Sequence, residues 1–586
     1  MASPVLAQQE QQQSLLVVYP KTGEYTTASP RTFIIGTAPP DAEVLVNGQS
    51  IERSPAGHFA PSFSLNMGEN TFTLRYKDEE KAIVVNRVSN DPVVPQGVAF
   101  AESTLTPAVD IARMPGELIC FSAIATPDSQ LSVRLGSLNI PLLSQSQVAN
   151  LPSNLSVLTG DNQPVPRDNF TGFYQGCAKA ENSGELGKPT FQLTKNGRTI
   201  SQEGPGKVTI MSPTMFEVAE VTVDGGIART GPSTDHSRLT PLPKGTRALI
   251  TGREGEFLRL DYGAWIKAEE TKIFTDAIPP RSFIRSLLAR PAANATEVFF
   301  PLQAAVPVSV EQNDSGFSIT LHNTIAQTDT IRFDDDPYIE RLDWQPVISP
   351  GQGEQAVKYT FRFKSKQQWG YKLRYEGTTL ILTLRHPPVG AGGNTFQSDR
   401  PLAGMNILID PGHGSENDLG AVGPNGYPEK DVVLKVSKLF RDELVKRGAS
   451  VVMTREGDDD LWPKDRVEII EAEEPDLALS VHYNALPDYG NAMETKGIGT
   501  FWYHPQAHGL AVFLHNYLTE QLRRPSYGVF WNNLALARPA IAPSVLLELG
   551  FMINPYEFEW IVDPQEQQKL AEVLADGVVE WVKQTE

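Results

Sequence analysis

Three apolar runs in the last third of the chain each stop on a residue able to carry chemistry, and this limits what that region can fold into. Met405–Ile409 leads into Asp-Pro-Gly-His-Gly (410–414), Leu477–Val481 into His482, and Val545–Leu547 into Glu548. Short continuous runs bounded by turn residues read as strands buried on both faces, the kind found in parallel sheets. Between the first two, Pro428 precedes Glu429, Lys430 and Asp431, and an apolar stripe of Val432, Val433, Val436 and Leu439 follows. That order predicts a helix with Glu429 in its first turn. In an open α/β sheet, ligands collect beyond the carboxyl ends of the strands. His413, Glu429, His482 and Glu548 can therefore converge.

These residue types suit one chemistry. Zinc with an open position takes three protein ligands from imidazole nitrogen and carboxylate oxygen, and two His and one Glu supply that set. The metal lowers the pKa of its water from about 15.7 toward about 7. A further carboxylate that is not a ligand is then needed to take the water's proton and pass it on. Glu548 is the candidate, because a charge closing an apolar run is costly without a task or a partner. Blander explanations exist for each residue. A His in a Gly-rich loop can be structural, and a Glu in a first helical turn can serve only the helix dipole. Glu548 can pair with a buried Arg such as Arg455 or Arg466.

The stretches IDPGHG, GAVGPNGYPEKDVVL, SVHYNA and PSVLLELGF occur in this order over about 180 residues, with VVMTRE (451–456) and KDRVEI (464–469) among them. Through these motifs residues 404–586 resemble the zinc-dependent N-acetylmuramoyl-L-alanine amidases of bacterial cell walls. The resemblance implies a mixed sheet flanked by helices, with His413, Glu429 and His482 as ligands of one zinc ion and Glu548 as the catalytic carboxylate. It implies peptidoglycan as substrate. The bond cut would join the lactyl group of N-acetylmuramic acid to the L-alanine of the stem peptide. Some family members carry a long helical insertion after the second zinc histidine that blocks the site. Here ALPDYGNAMETKG alone separates Asn484 from the next strand, GIGTFWYH, so that plug is absent. RRPSYGVFWNNLALARP (523–539) departs from the family spacing. Asn484 stands beside the motif histidine, where a place near the metal and a turn-forming role both explain it. His504, His508 and His515 fall in or beside a predicted helix (505–522) whose polar face can hold them, and they are not expected as ligands.

The rest of the chain reads as accessory β structure. Residues 1–14 combine Val5-Leu6-Ala7, the small-residue pattern of a secretory cleavage site, with a Gln-rich leader. Residues 15–97 show short strands at about ten-residue spacing with Asn-Gly turns, suggesting an immunoglobulin-like sandwich. Residues 98–213 repeat that pattern: FIIGTAPPDAEVLVNGQSI is echoed by CFSAIATPDSQLSVRLGSLNI. Cys120 and Cys177 both lie in this second unit, and an even count in one exported β domain favours a disulfide over two buried free thiols. Residues 214–280 resemble a bacterial Src-homology-three-like barrel, with Phe257, Tyr262 and Trp265 expected in its core. Residues 281–389 alternate as strands and loosely resemble the AMIN-type β domains that bring such amidases to the wall. Residues 390–403 read as a linker.

The resulting architecture is multidomain, a C-terminal α/β domain preceded by several all-β domains. A net charge of −19 argues against nucleic acid, which is bound through Lys and Arg. No apolar run approaches 18 residues, so no transmembrane segment is expected. A wall substrate demands export, pointing to the periplasm or cell envelope, with envelope or division partners met by the N-terminal β domains. Two other functions fit the same residues: a wall-binding or regulatory protein keeping the amidase domain as a scaffold, and a zinc peptidase acting within the stem peptide.

Overall fold

Turn chemistry and strand alternation set most of the chain's architecture. The computed structural model describes residues 15–585 apart from 22–23, 90–92, 146–147, 151–164, 168–171, 314–315, 334, 349–354 and 389–399; for 148–150 and 165–167 only the backbone is described. The expected cleavage site, the Gln-rich leader and most of the expected linker lie outside these residues. Residues 1–90 and 387–586 form one compact unit, and 91–386 form another.

In the first unit, residues 15–88 form a β domain. A five-stranded sheet runs in the order Glu24–Thr27, Glu79–Arg87, Gly68–Tyr76, Val44–Val46, Gln49–Ser50. A three-stranded sheet joins Leu16–Tyr19, Ile35–Thr37 and His58–Phe59. Ile34, Phe59, Leu74, Ile83 and Val85 fill the space between. The Asn47-Gly48 turn has positive φ at both residues, which a two-residue hairpin requires. Glu24–Thr27 is a strand that its four-residue sequence did not announce.

The second unit holds the second copy of the expected repeat, and the hairpin of Val44–Val46 and Gln49–Ser50 in the first unit has its counterpart there in Gln130–Leu135 and Leu138–Ser144. Cys120 and Cys177 face each other across antiparallel strands Leu118–Ile124 and Phe173–Lys179 and form a disulfide. Both cysteines are exposed, so the alternative of buried free thiols does not hold. Pairing also continues across position 213, because Ile111–Arg113 adds to Arg247–Glu254 in one sheet. Phe257, Tyr262 and Trp265 are buried, as expected. Residues 282–385 build a five-stranded and a four-stranded sheet.

The C-terminal domain is a mixed sheet flanked by helices. Its elements are β1 (Asn406–Pro411), α1 (Glu429–Lys446), β2 (Ser450–Met453), α2 (Pro463–Glu473), β3 (Leu477–Asn484), β4 (Ile498–Trp502), α3 (Pro505–Leu522), β5 (Ser526–Trp531), β6 (Ser544–Phe551), α4 (Pro555–Val562) and α5 (Pro564–Gln584). The order is β2-β1-β3-β6-β4-β5, with the first four strands parallel and β4 antiparallel to β6. Leu408, Ile409, Leu479, Val481, Val545 and Leu547 are wholly buried, as two-sided coverage requires. Helix α5 packs on α1 and α3.

Three local readings need correction. The buried stripe of α1 is Val432, Val433, Val436, Phe440 and Leu444; Leu439 is only partly covered, since the 3.6-residue period carries the face on to Phe440. His482 and Glu548 do not terminate their strands, because a polar side chain ends an apolar pattern without ending a hydrogen-bond ladder. Leu402 is fully buried and its N–H donates to the Arg447 carbonyl, so packing of this domain begins inside the expected linker.

Candidate active site

His482 and Glu548 stand opposite one another in register on adjacent parallel strands β3 and β6, so their side chains leave the sheet on the same face. Glu429 reaches this face from the first residue of α1, where it is 2% exposed. His413 comes from the loop after β1, with φ of +57°. That left-handed conformation costs a non-glycine residue about 1–2 kcal/mol, so the surroundings must hold it.

They do so with two buried arginines. Arg455 donates to the carbonyls of Pro411 (2.9 Å), Gly412 (2.8 Å) and Lys430 (2.8 Å). Arg466 donates to the Pro411 carbonyl (2.6 Å) and to that of His413, and pairs with Asp410 at 2.7 Å. Asp410 also accepts from Thr454 (2.5 Å) and Ser480 (2.6 Å). Burial opposes its charge, but Arg466 and the two hydroxyls outweigh that and hold its carboxyl below the ordinary range. The two arginines are thus committed to the Asp-Pro-Gly-His-Gly loop, and pairing with either does not account for Glu548.

Glycine is required where the loops touch the site. A Cβ on Gly412 would lie 2.2 Å from the His482 ring, and one on Gly420 would lie 2.6 Å from both Glu429 Oε2 and the His413 ring.

One ligand atom from each of His413, Glu429 and His482 lies within 4.8 Å of the others, a group able to hold a metal ion. His413 Nε2 is 3.2 Å from Glu429 Oε2, and His482 Nδ1 is 3.3 Å from Glu429 Oε1. The two imidazoles thus flank the carboxylate, one beside each oxygen, and two nitrogens with a carboxylate are the donor types zinc takes. Each Glu429 oxygen is also fixed by a backbone N–H, Oε1 by Tyr483 (2.9 Å) and Oε2 by Ala421 (2.8 Å). On the far side of its ring, His413 Nδ1 lies 2.6 Å from Asp418, the carboxylate–histidine arrangement that orients metal-binding imidazoles.

The charges respond to this crowding. Burial works against both His413 and Glu429 carrying charge, but their mutual attraction prevails. Glu429, joined by Asp418, lifts the His413 pKa to about 9, and the two histidines lower that of Glu429 to about 2. Glu548 behaves oppositely: burial first, then the negative charge of Glu429, push it well above the ordinary carboxylate range. Its Oε2 is enclosed and has no hydrogen-bond partner among the described residues. Beside it on β4 is Gly499, where an added Cβ would lie 3.2 Å from the Tyr527 ring and 3.7 Å from Glu548.

Of the other sequence candidates, Asn484 is buried at the end of β3; its Oδ1 accepts from the Ala485 N–H at 2.9 Å, and its Nδ2 is enclosed with no hydrogen-bond partner among the described residues. His504, His508 and His515 do not join the group, but a polar helix face is not what holds them. His515 is buried against Ser526 of β5 (2.9 Å), the ring of His504 lies 2.8 Å from the Arg538 carbonyl oxygen, and His508 packs on Trp502. Asp418 was missed, since nothing in its polar loop sequence distinguishes it from Glu416 or Asn417.

Residues 407–580 match the profile of the N-acetylmuramoyl-L-alanine amidase family. The germination-specific N-acetylmuramoyl-L-alanine amidase of Bacillus subtilis is 34% identical over 200 residues, covering 31% of this chain and 81% of that relative. The probable cell wall amidase LytH of Staphylococcus aureus is 34% identical over 195 residues, covering 33% of this chain and 64% of that protein. Among solved structures, the catalytic domain of CwlV from Bacillus (Paenibacillus) polymyxa var. colistinus is 28% identical, covering 31% of this chain and 99% of that one, with a TM-score of 0.29. At 34% identity over a 200-residue stretch that covers 81% of the B. subtilis amidase, this chain belongs to the N-acetylmuramoyl-L-alanine amidase family.

Proposed function

We propose that the protein is a peptidoglycan hydrolase cutting the amide between N-acetylmuramic acid and the L-alanine of the stem peptide. His413, Glu429 and His482 hold zinc, and Glu548 moves the proton. The observation carrying this reading is the convergence of two imidazoles and one carboxylate within 4.8 Å, beside a second carboxylate left outside their contacts. Nitrogen and oxygen donors in this number suit zinc with a position left open. When bound, zinc supplies Lewis acidity and brings the pKa of water toward about 7. Asp418 fixes the His413 ring so that Nε2 faces inward, and the N–H groups of Tyr483 and Ala421 fix the Glu429 carboxylate. Glu548 takes the proton of the attacking water on its unpartnered oxygen and returns it to the departing amine.

Such a substrate places the working protein in the cell envelope, with the periplasm as the compartment we favour and the accessory β domains as its means of reaching wall or division partners. Digestion of purified sacculi with the full-length, zinc-loaded protein tests the reading. Peptides with a free L-alanine amino end and uncut glycan strands are expected. New ends within the stem peptide would make it a zinc peptidase, and no release with zinc bound would leave a scaffold.

A further inference from the structure

The strands bearing His482 and Glu548 run on beyond those residues, and both continuations end against the N-terminal β domain. After β3 comes the 485–497 loop, where Asp488 accepts hydrogen bonds from three hydroxyls of that domain. Tyr25 (2.7 Å) and Thr27 (2.6 Å) donate to Oδ2, and Tyr19 donates to Oδ1. Ser62 adds a bond to the Gly490 carbonyl at 3.3 Å. After Glu548, β6 continues to Phe551, which with Ile553 and Ala492 forms one buried cluster with Phe33, Ile35 and Ala60 of the β domain. Phe551 is also the register partner of Asn484, two residues past His482. A polar anchor and an apolar one thus fix the ends of the two strands that bear the site.

Neither anchor resembles an incidental contact. Three hydroxyls gathered on one carboxylate are charge-assisted bonds, the stronger kind, and the apolar cluster excludes water from the same seam. The loop they hold is the chain's passage from His482 to Gly499, the residue beside Glu548. It crosses the carboxyl ends of the parallel strands, where a substrate enters an α/β sheet.

We infer that the N-terminal β domain is a positioning element of the catalytic site, holding the 485–497 loop in its substrate-binding shape through Asp488. This rests on the amidase reading above. A domain acting only as a spacer would need no such contact. The positioning residues are Asp488, Tyr19 and Tyr25; none touches the reacting atoms.

The test uses full-length protein in three forms: Asp488→Ala, the double variant Tyr19→Phe/Tyr25→Phe, and the triple combination. Each is assayed for kcat and KM on a soluble muramoyl-peptide fragment and for amide hydrogen exchange of residues 485–497. KM should rise at least about tenfold in both of the first two, the worth of one hydrogen bond to a charged group being the lower bound, and further in Asp488→Ala, which loses three hydroxyl contacts against two; kcat should stay within about twofold. The triple variant should be no worse than Asp488→Ala alone, because that change already removes the acceptor of both tyrosines. Exchange of the loop should quicken in all three. Should Asp488→Ala fail to fold, the tyrosine variant answers alone. A fall in kcat with KM unchanged would reflect lost active protein and overturn the inference, as would additive effects. If the unsubstituted protein hydrolyses nothing, the amidase reading fails, and unaltered loop exchange in the variants would then overturn the positioning role separately.

Discussion

Two loops flank the candidate site and are held in opposite ways. The Asp-Pro-Gly-His-Gly loop behind it is fixed from within the α/β domain by buried charges, Asp410 and Arg466 facing each other with side chains 1% and 4% exposed. The 485–497 loop in front is fixed by hydroxyls and apolar side chains contributed from residues 19–62, more than 400 positions away. The difference separates two requirements. On the proposed function the rear loop carries a metal ligand, which must be preorganised, so its supports belong to the domain. The substrate-side loop can be adapted by whatever else the chain carries.

Breaking the rear set should have the largest effect. His413→Ala or His482→Ala leaves two protein ligands, too few to retain a tightly bound zinc ion. Turnover should fall to background, and metal analysis should find little zinc; near-stoichiometric zinc in either variant would remove that residue from the ligand set.

Next in size is the buried pair. Asp410→Asn leaves the Arg466 charge uncompensated, which costs about 3–5 kcal/mol of stability, measurable by denaturant unfolding. The pH dependence has a definite sign. The folded protein holds Asp410 below its ordinary value of 3.8. Its contribution is therefore fully present above pH 3.8 and is lost as pH falls through the lowered value. Unfolding midpoints measured down the acid limb should show this loss in the unsubstituted protein and not in Asp410→Asn. A variant as stable as the parent would mean that the rear loop is held by something else.

A smaller effect sharpens the contrast. Asp418→Asn keeps the fold and the ligands but weakens the orientation of the His413 ring, which typically costs about 10–100-fold in metal affinity. Competition with a chelator reads this directly. Unchanged affinity would reduce Asp418 to a surface residue.

The same contrast explains what could be read from the sequence. The rear set was legible because its signals are local: an apolar run before each of His413, His482 and Glu548, a proline before Glu429, and helix α3 at the residues its pattern indicated. Asp488 was not, since its partners Tyr19, Tyr25 and Thr27 lie over 460 residues away and nothing in LPDYG marks an acceptor. His515 looked like a surface residue because a helical pattern does not reveal that a strand will cover the polar side. Arg455 and Arg466 were noticed as possible partners of Glu548, yet sequence cannot show that main-chain carbonyls of a tight turn need those guanidinium groups more. The exposed faces of the strands carrying Cys120 and Cys177 likewise gave no sign that the disulfide would lie on the outside.

The central claim is that the two site carboxylates differ in task, Glu429 holding metal and Glu548 moving a proton. Zinc content and turnover of Glu548→Gln, measured on the same preparation, test it most directly. A positioned general base contributes about 10²–10⁴-fold in rate, or about 2.7–5.4 kcal/mol of barrier. The account predicts full zinc occupancy with turnover reduced by that factor. Loss of zinc would make Glu548 a ligand, and near-normal turnover would pass the proton to another group; either result would contradict the assignment.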